Sequence, residues 1–189
     1  MTSSATNGRR KGKAGEKAVR RLLKKYAAKH PGIKILNGIY LPLYKGCCEI
    51  DHLLLGTFGI AVLETKSIGG RLSGSPAAPY LLHQLGKQTH RLYNPLLQNK
   101  THCDNVRHHL NKAGFKHIPI YPLTIYTDET LFLENQGLGI KLSSFEKTLD
   151  KLPGARCDAV LLHRTLRSVR VRNPWKKWLH TLLIRSKKN

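Results

Sequence analysis

The spacing of apolar residues divides the first part of the chain into a helix and several strands. Over residues 13–30, apolar side chains recur every three or four positions with basic residues between them. This pattern predicts an amphipathic helix that ends at residues 30–32. Residues 33–44 predict one or two strands. Two further apolar runs, residues 48–56 and 59–66, have the length of strands and are separated only by Thr57 and Phe58.

In the second part of the chain, the sequence predicts some helices and strands clearly and others only weakly. Residues 67–90 are rich in Gly, Ser and Pro and predict a loosely structured segment. Asn94 and Pro95 are typical of an N-cap and a first helical position, and they predict a helix to about residue 110. The other predictions are a strand over 118–126 with Pro122 at an edge or bend, a short strand and helix over 138–150, and a strand or helix over 158–163.

The runs 48–56 and 59–66 predict an antiparallel hairpin that closes between residues 57 and 58. In this register Asp51 lies opposite Glu64, and Glu49 lies opposite Lys66, with Cβ atoms about 4.5–5.5 Å apart. Lys66 shares the face of Glu64 because alternate residues of a strand point the same way. The acids' face continues in Leu53, Leu55, Ile60 and Val62, and the other face carries Ile50, Leu54, Ala61 and Leu63. Apolar residues on both faces predict a central strand pair that is covered on both sides.

Two opposed carboxylates at the end of an apolar surface repel each other and are costly to desolvate. A divalent cation removes both costs, and Mg²⁺ prefers one or two carboxylates together with water and phosphate oxygens. Lys66 adds a compact positive charge that can hold a phosphate or an attacking water. The alternative is a purely structural salt bridge of Glu49 or Glu64 with Lys66.

Glu16 precedes Val19 by three residues and Leu23 by seven, so it falls on the apolar stripe of the first helix. This position predicts that its carboxylate points toward the core and could join the site. The alternative is that Glu16 only stabilises the N-terminus of the helix.

Composition favours a polyanionic partner. The 189 residues include 33 Lys and Arg against 11 Asp and Glu, a formal net charge of +22, while 40% hydrophobic residues suffice for a core. Such an excess of positive charge favours nucleic acid through counterion release. Cys47, Cys48, Cys103 and Cys157 form no CxxC pair, which favours reduced thiols and a cytoplasmic location. We find no signal peptide and expect no integral membrane span.

The ten histidines lack the spacing of a metal site. His102, His108 and His109 share the helix predicted after Asn94, but the sequence contains no HExxH and no paired Cys/His finger. We therefore expect the histidines at the surface or at an interface.

Three sequence segments, taken in order, resemble the nuclease-related domain (NERD) family. They are GKAGEKAV, EIDHLLLGTFGIAVLETKSIGGRLSG and NPLLQNKTHCDNV, and together they contain the four elements of the family, GE, IDH, ETK and NP-x-x-Q. The resemblance covers roughly residues 12–150. It implies an α/β fold with a mixed central β-sheet flanked by helices, the restriction-endonuclease-like (PD-(D/E)XK) core.

The resemblance also implies roles for individual residues. Asp51 and Glu64 would bind Mg²⁺, or Mn²⁺ in its place, with the Thr65 carbonyl as a further ligand. Lys66 would be the catalytic lysine, and Glu16 an accessory acid that orients a water or Lys66. Gln98 would lie near the site and contact substrate or hold Lys66, unless it is an ordinary polar residue of the helix surface.

These observations divide the chain into a flexible basic arm (1–12), a NERD-like nuclease domain (13–153) and a basic C-terminal extension partly packed on the core (154–189). The expected function is Mg²⁺-dependent hydrolysis of phosphodiester bonds of DNA, or of RNA, with little sequence specificity. The resemblance further implies cleavage that leaves a 5′-phosphate. An endonuclease is favoured over an exonuclease. Phosphate contacts are expected from Arg9, Arg10, Lys11, Lys13, Arg170 and Arg172, with Arg164, Arg167, Lys176 and Lys177 as further candidates.

Two other interpretations remain open. The first is a non-catalytic nucleic-acid-binding module with the same fold, in which the acids are structural. The second is a membrane-surface protein, because Trp175, Trp178, Leu179 and Leu182 could form one apolar face of a basic helix. A homodimer is compatible with either nuclease or binding module, but nothing in the sequence requires one.

Overall fold

The computed structural model describes residues 3–173, with side chains from residue 7 onward. The chain forms, in order, α1 (Ser3–Lys29), β1 (Lys34–Pro42), β2 (Cys47–Gly56), β3 (Gly59–Lys66), β4 (Arg71–Ser73), β5 (Tyr80–Leu85), β6 (Gln88–Tyr93), α2 (Pro95–Lys112), β7 (Ile120–Tyr126), β8 (Phe132–Leu133), β9 (Ile140–Lys141), α3 (Phe145–Leu149) and α4 (Ala159–Val169).

A mixed five-stranded sheet in the order β1-β2-β3-β7-β9 forms the centre of the domain. β1, β2 and β3 pair antiparallel, whereas β7 lies parallel to both β3 and β9. The connection from β3 to the parallel β7 includes α2, as a parallel pairing requires a long crossover. The predicted fold class, a mixed central sheet flanked by helices, is confirmed.

Apolar residues cover both faces of the main sheet. On one face, α1 contributes Val19 and Leu23 to a cluster with Leu54 and Leu63. On the other face, α2 and α4 pack on Leu53, Leu55 and Val62 through a separate cluster, with Val106, Leu110, Leu162 and Leu166 as their main contacts. Burial on both sides explains why β2 and β3 are nearly continuous apolar runs.

The predicted start of the first helix at residue 13 is wrong, because α1 begins at Ser3 and includes most of the segment expected to be a flexible arm. Polarity does not end a helix by itself. Residues 3–29 contain no proline, and their many Arg and Lys residues have high helix propensity.

Residues 67–90 are also more ordered than predicted. β4, β5 and β6 form with β8 a small sheet in the order β6-β5-β4-β8. Its inner face buries Leu72 and Leu81 against Tyr126, Leu131 and Leu138. The Gly, Ser and Pro residues that suggested a loose segment occupy its turns, and Gly86 has the positive φ (+60°) that the tight β5–β6 turn requires.

Along β1 and β2, the regular alternation of side chains between the two faces of the sheet is interrupted once. Leu36 pairs with Leu53 and Ile39 pairs with Ile50, yet all four lie in the same cluster. The prediction that Ile50 faces away from Leu53 is therefore wrong. Between these pairs Gly38 has a φ of +56°, which interrupts the pleat of β1 while the register to β2 is preserved.

Other predicted elements agree with the structure. Asn94 caps α2 by accepting a hydrogen bond from the Leu96 amide (2.9 Å). Pro122 lies where β7 pairs with β3 alone, since β9 reaches only Ile125 and Tyr126. Within residues 3–173, no helix is long and apolar enough to cross a membrane. Trp175, Trp178, Lys176 and Lys177 lie outside the described residues.

Candidate active site

The hairpin of β2 and β3 brings the two predicted acids to one place. The strands pair from Gly56–Gly59 to His52–Leu63, which confirms the predicted register over these pairs. Beyond these pairs β3 stays paired with β7 and β2 stays paired with β1, but β2 and β3 no longer pair with each other. Asp51 and Glu64 therefore lie where the two strands part.

Asp51 is held by the strand opposite. Its Oδ2 accepts a hydrogen bond from the backbone amide of Thr65 at 2.8 Å. Burial and, after it, the neighbouring charge of Glu64 raise the pKa of Asp51 to about 7, although the Thr65 hydrogen bond and the charge of Lys66 oppose the rise. An ionised carboxylate is therefore costly at this position unless a cation accompanies it.

Glu64 is the more deeply buried acid, with 2% of its surface exposed. Its Oε1 accepts a hydrogen bond from Lys66 Nζ at 2.5 Å. Its Oε2 faces His102 Nδ1 at 3.5 Å and receives no hydrogen bond from the described residues. Burial raises the pKa of Glu64, and the Lys66 ammonium opposes this effect.

Lys66 connects β3 with α2. Besides Glu64, its ammonium donates to Gln98 Oε1 at 3.1 Å. The structure therefore places Gln98 in contact with Lys66, which is one of the two positions expected for it. The ion pair between Glu64 and Lys66 is also the one that the structural alternative predicted. Glu49, by contrast, accepts a hydrogen bond from the Tyr40 hydroxyl, so its contact lies on β1.

Glu16 lies at the site but does not point into the core. Its side chain is exposed, so the expectation of a buried acid is wrong. The neighbouring residue Gly15 is the one that is buried. A Cβ at Gly15 would lie 2.7 Å from Thr127 Oγ1 and 2.9 Å from Ser67 Oγ. Partial desolvation and the charges of Asp51 and Glu49 raise the pKa of Glu16. Glu16 is thus close enough to these acids to share their electrostatic field.

The predicted phosphate contacts lie on exposed parts of two elements. Arg9, Arg10, Lys11 and Lys13 are exposed on α1. The charge of Lys13 lowers the pKa of Glu16, which places this lysine near the acids. Arg170 is half-buried and Arg172 is exposed beside β1, where the amide of Val171 donates to the Tyr40 carbonyl (2.7 Å). Thus α1 brings basic side chains toward the acids, while Arg170 and Arg172 lie along the outer edge of the sheet.

Three histidines are also placed differently from the prediction. His52, His102 and His109 are buried within the domain, although the histidines were expected at the surface or at an interface. His102 faces Glu64, and it follows Gln98 by four residues, so both side chains extend from the same face of α2. This spacing is the signal that could have identified His102 as a neighbour of the site.

The residues of the site fit a divalent cation. Two carboxylates with raised pKa lie together, and a buried oxygen of Glu64 receives no hydrogen bond from the described part of the chain. Among the described residues, no three His, Cys, Asp or Glu side chains are arranged to hold a metal ion. A cation bound to Asp51 and Glu64 would need backbone, water or phosphate oxygens as well, which suits Mg²⁺.

The mixed sheet flanked by helices, with two acids and a lysine where β2 and β3 stop pairing, is consistent with a nuclease-like α/β core. Comparison with known proteins gives the family: the model of the nuclease-related domain, NERD, matches residues 11–127. The chain belongs to this family.

One curated relative is an uncharacterized protein of Bacillus anthracis. The two chains are 34% identical over 96 residues, a match that covers 51% of this chain and 45% of the relative. The chain thus spans about half the length of that relative. No solved structure matches the chain.

Proposed function

We propose that this protein is a Mg²⁺-dependent nuclease that hydrolyses phosphodiester bonds of DNA or RNA with little sequence specificity. The observation that supports it most is the meeting of Asp51 and Glu64 beside Lys66, at the point where β2 and β3 part. Burial and mutual repulsion make these carboxylates costly without a cation. Such an arrangement favours a metal site over a purely structural salt bridge.

Asp51, Glu64 and the Thr65 carbonyl are the proposed ligands, with Mn²⁺ as an alternative to Mg²⁺. A bound divalent cation supplies charge neutralisation at the phosphate and a water of lowered pKa. The chain's own contribution is to hold the ligands in place. The Thr65 amide fixes Asp51, and the Lys66 ammonium fixes one oxygen of Glu64.

Lys66 is the proposed catalytic lysine. Its side chain is 24% exposed and its ammonium is held between Glu64 and Gln98, so the group is both oriented and open to a phosphate oxygen. Charge that develops on the phosphate during hydrolysis would be stabilised by this fixed cation without reorganisation. Gln98 orients Lys66, and Glu16 is the accessory acid that would accept a proton from an attacking water.

The basic surface supports a nucleic-acid substrate. With a net charge of +22, the chain would bind phosphates through Arg9, Arg10, Lys11, Lys13, Arg170 and Arg172. Contacts of this kind orient a backbone without reading its sequence. We further propose endonucleolytic cleavage that leaves 5′-phosphates, and a cytoplasmic location consistent with the four free cysteines. A homodimer is compatible with this function and is not needed for it.

A cleavage assay tests the proposal. Wild type, Asp51→Ala and Lys66→Ala are incubated with supercoiled plasmid, linear duplex and single-stranded DNA or RNA, in Mg²⁺, Mn²⁺ or EDTA. We expect metal-dependent cutting by wild type and a loss of about 100-fold or more in both variants. Lys100→Ala is the matched control, because Lys100 is an exposed lysine of α2 paired with Asp104. Salt-sensitive binding without any cutting would instead establish the non-catalytic module.

A further inference from the structure

The small sheet has an outer face that the proposed reaction does not use. In the described chain, nine large hydrophobic side chains are exposed, and four of them share this face: Tyr80, Leu82, Tyr93 and Phe132. The strand register places them together, since Tyr80 pairs with Tyr93, Leu82 with Arg91, and Phe132 with Arg71. The opposite face of the same strands is the buried one, with Leu72 and Leu81.

Aromatic rings and arginines alternate on this face. The rings of Tyr80 and Tyr93 meet edge to face with centroids 6.0 Å apart, and they are 46% and 51% exposed. The guanidinium of Arg91 lies 4.3 Å from the centroid of Tyr80, and that of Arg71 lies 5.2 Å from Phe132. Exposed rings flanked by guanidinium groups are suited to stacking with nucleobases, whose phosphates the arginines can contact.

The segment that contains this face carries only positively charged residues besides its neutral ones. Residues 65–103 contain no Asp or Glu, but they contain five Lys and Arg residues. Among the described residues, the acid paired with this face is Glu134, which binds Arg71 at 2.6 Å and leaves Arg91 to face solvent over Tyr80. An acidic protein partner would also be attracted, but it would not need paired aromatic rings beside the arginine. The chemistry therefore favours unpaired nucleobases.

The aromatic pair is also close to the proposed active site along the chain. Tyr93 ends β6, and Asn94 follows as the N-cap of α2. The side-chain amide of Asn94 donates hydrogen bonds to the carbonyls of Pro76 and Ala78. Gln98 is five positions after Tyr93, so their Cα atoms are at most about 18 Å apart. About five nucleotides of a stacked strand span this distance at 3.4 Å each.

We propose that the outer face of the small sheet, formed by Tyr80, Leu82, Arg91 and Tyr93 with Arg71 and Phe132 beside them, binds single-stranded nucleic acid by base stacking. This inference rests on the proposed nuclease function for its biological meaning, because it assigns single-stranded DNA or RNA, or a single-stranded segment of a duplex, as the preferred substrate. Stacking on Tyr80 and Tyr93 is tolerant of sequence, since every base has a π-face.

Binding in EDTA tests the inference without any cleavage. The full chain is titrated into a labelled 20-nucleotide single strand of DNA, the same sequence as RNA, and the DNA duplex. Tyr80→Ala/Tyr93→Ala is expected to weaken binding of at least one single strand by about tenfold or more. Duplex binding should change less than twofold, because it depends on phosphate contacts. The DNA and RNA arms show which single strand is preferred.

Three controls make the result specific. Tyr80→Phe/Tyr93→Phe retains the rings and should retain single-strand affinity, and unchanged duplex affinity of the alanine variant shows that its effect is not a loss of folding. Tyr80→Leu/Tyr93→Leu retains apolar surface and should bind as weakly as the alanine variant. Tyr44→Ala removes a fully exposed tyrosine of the β1–β2 turn and should change nothing.

Several outcomes would overturn the inference: no binding of single strands by wild type, unchanged affinity in the alanine variant, full retention in the leucine variant, or an equal loss for duplex and single strand. Binding of anionic liposomes that disappears in the alanine variant, without an effect on single strands, would assign the face to membranes instead. If the alanine variant kept both metal-dependent cleavage and the single-strand affinity of wild type, this inference would be rejected and the nuclease proposal would stand. If wild type bound single strands through this face but cut no substrate, the inference would stand and the nuclease proposal would be rejected.

Discussion

The backbone amide of Thr65, the residue after Glu64 on β3, donates a hydrogen bond to Asp51 Oδ2 on β2 at 2.8 Å. This bond spans the gap where β2 and β3 stop pairing with each other. It therefore holds Asp51 near Glu64 although the two carboxylates repel each other. The strain of this arrangement should be visible in the stability of the metal-free protein.

Replacing Asp51 by Asn should stabilise the metal-free protein at alkaline pH. The pKa of Asp51 rises from 3.8 to about 7 on folding, so between these pH values the folded state binds more protons than the unfolded state. The stability that protonation provides is present below about pH 4 and is lost as pH rises through 7. Three pKa units correspond to at most about 4 kcal/mol. We expect Asp51→Asn to raise the Tm in EDTA at pH 8 by several degrees, and to have little effect at pH 4.

Asp104→Asn provides the matched control for this measurement. Asp104 is an exposed acid of α2 paired with Lys100, and its loss should change the Tm by less than about 2 °C at either pH. Asn can still accept the hydrogen bond of the Thr65 amide, so the test isolates the charge. A lower Tm for Asp51→Asn at pH 8 would contradict the raised pKa.

Addition of Mg²⁺ should stabilise wild type and leave Asp51→Asn unchanged. A ligand that binds only the folded state at 100 times its Kd adds about 2.7 kcal/mol, which is roughly 5–11 °C in the Tm of a domain of this size. Thermal unfolding in EDTA and in 10 mM Mg²⁺ measures the difference. Asp104→Asn should respond as wild type does. If Asp51→Asn gained as much stability as wild type, Asp51 would not be a metal ligand.

The site illustrates what sequence alone can and cannot predict. The positions of Asp51 and Glu64 followed from the short turn at Thr57 and Phe58, because a tight hairpin fixes its register and a strand has a period of two. The parting of β2 from β3 was not predictable in this way. Beyond it β3 is paired only with β7, which lies more than fifty residues later in the chain and whose position the hairpin pattern does not give.

The sequence also does not predict which residues of a helix are buried. The pattern of α2 did not show which of its histidines would face the sheet, because both His102 and His109 are buried by contacts with distant strands. The small sheet was missed for a similar reason. Its strands are short, and their inner leucines are buried by Tyr126, Leu131 and Leu138, which come later in the chain.

Removing Gln98 should slow cleavage without weakening metal binding. Gln98 holds Lys66 through one hydrogen bond of 3.1 Å, and loss of this contact would let the ammonium leave its position. Misplacement of a catalytic group by about 1 Å can cost about 100-fold in rate. We expect Gln98→Ala to lower kcat by 10- to 100-fold, with a Mg²⁺-induced Tm shift equal to that of wild type.

Gln98→Glu tests the mechanism of this effect because it restores an acceptor for Lys66. Its kcat should lie above that of Gln98→Ala. Thr101→Ala, an exposed position of the same helix, is the control for general effects on α2. A Gln98→Ala variant that raised KM alone would indicate substrate binding, and it would reject the positioning role.

A methyl group at Gly15 should disturb the contact between α1 and the site, whereas the same change at Gly12 should stabilise the protein. A Cβ at Gly15 would lie 2.7 Å from Thr127 Oγ1 and 2.9 Å from Ser67 Oγ, and these two hydroxyls bond each other at 2.8 Å. Overpacking of this kind typically costs about 1–3 kcal/mol. At Gly12, no atom lies within 4 Å, so alanine there gains only helix propensity, about 0.5–1 kcal/mol.

Chemical denaturation measures both effects, and the cleavage assay shows their consequence. Gly15→Ala should move α1 away from Ser67 and carry Glu16 away from Asp51, so we expect reduced activity even under conditions where the variant is fully folded. Gly12→Ala should retain full activity with a higher midpoint. Because the two glycines are three residues apart on one helix, a general change of helix propensity would move both variants in the same direction. A Gly15→Ala variant as stable and active as Gly12→Ala would show that α1 does not need its close approach to the sheet.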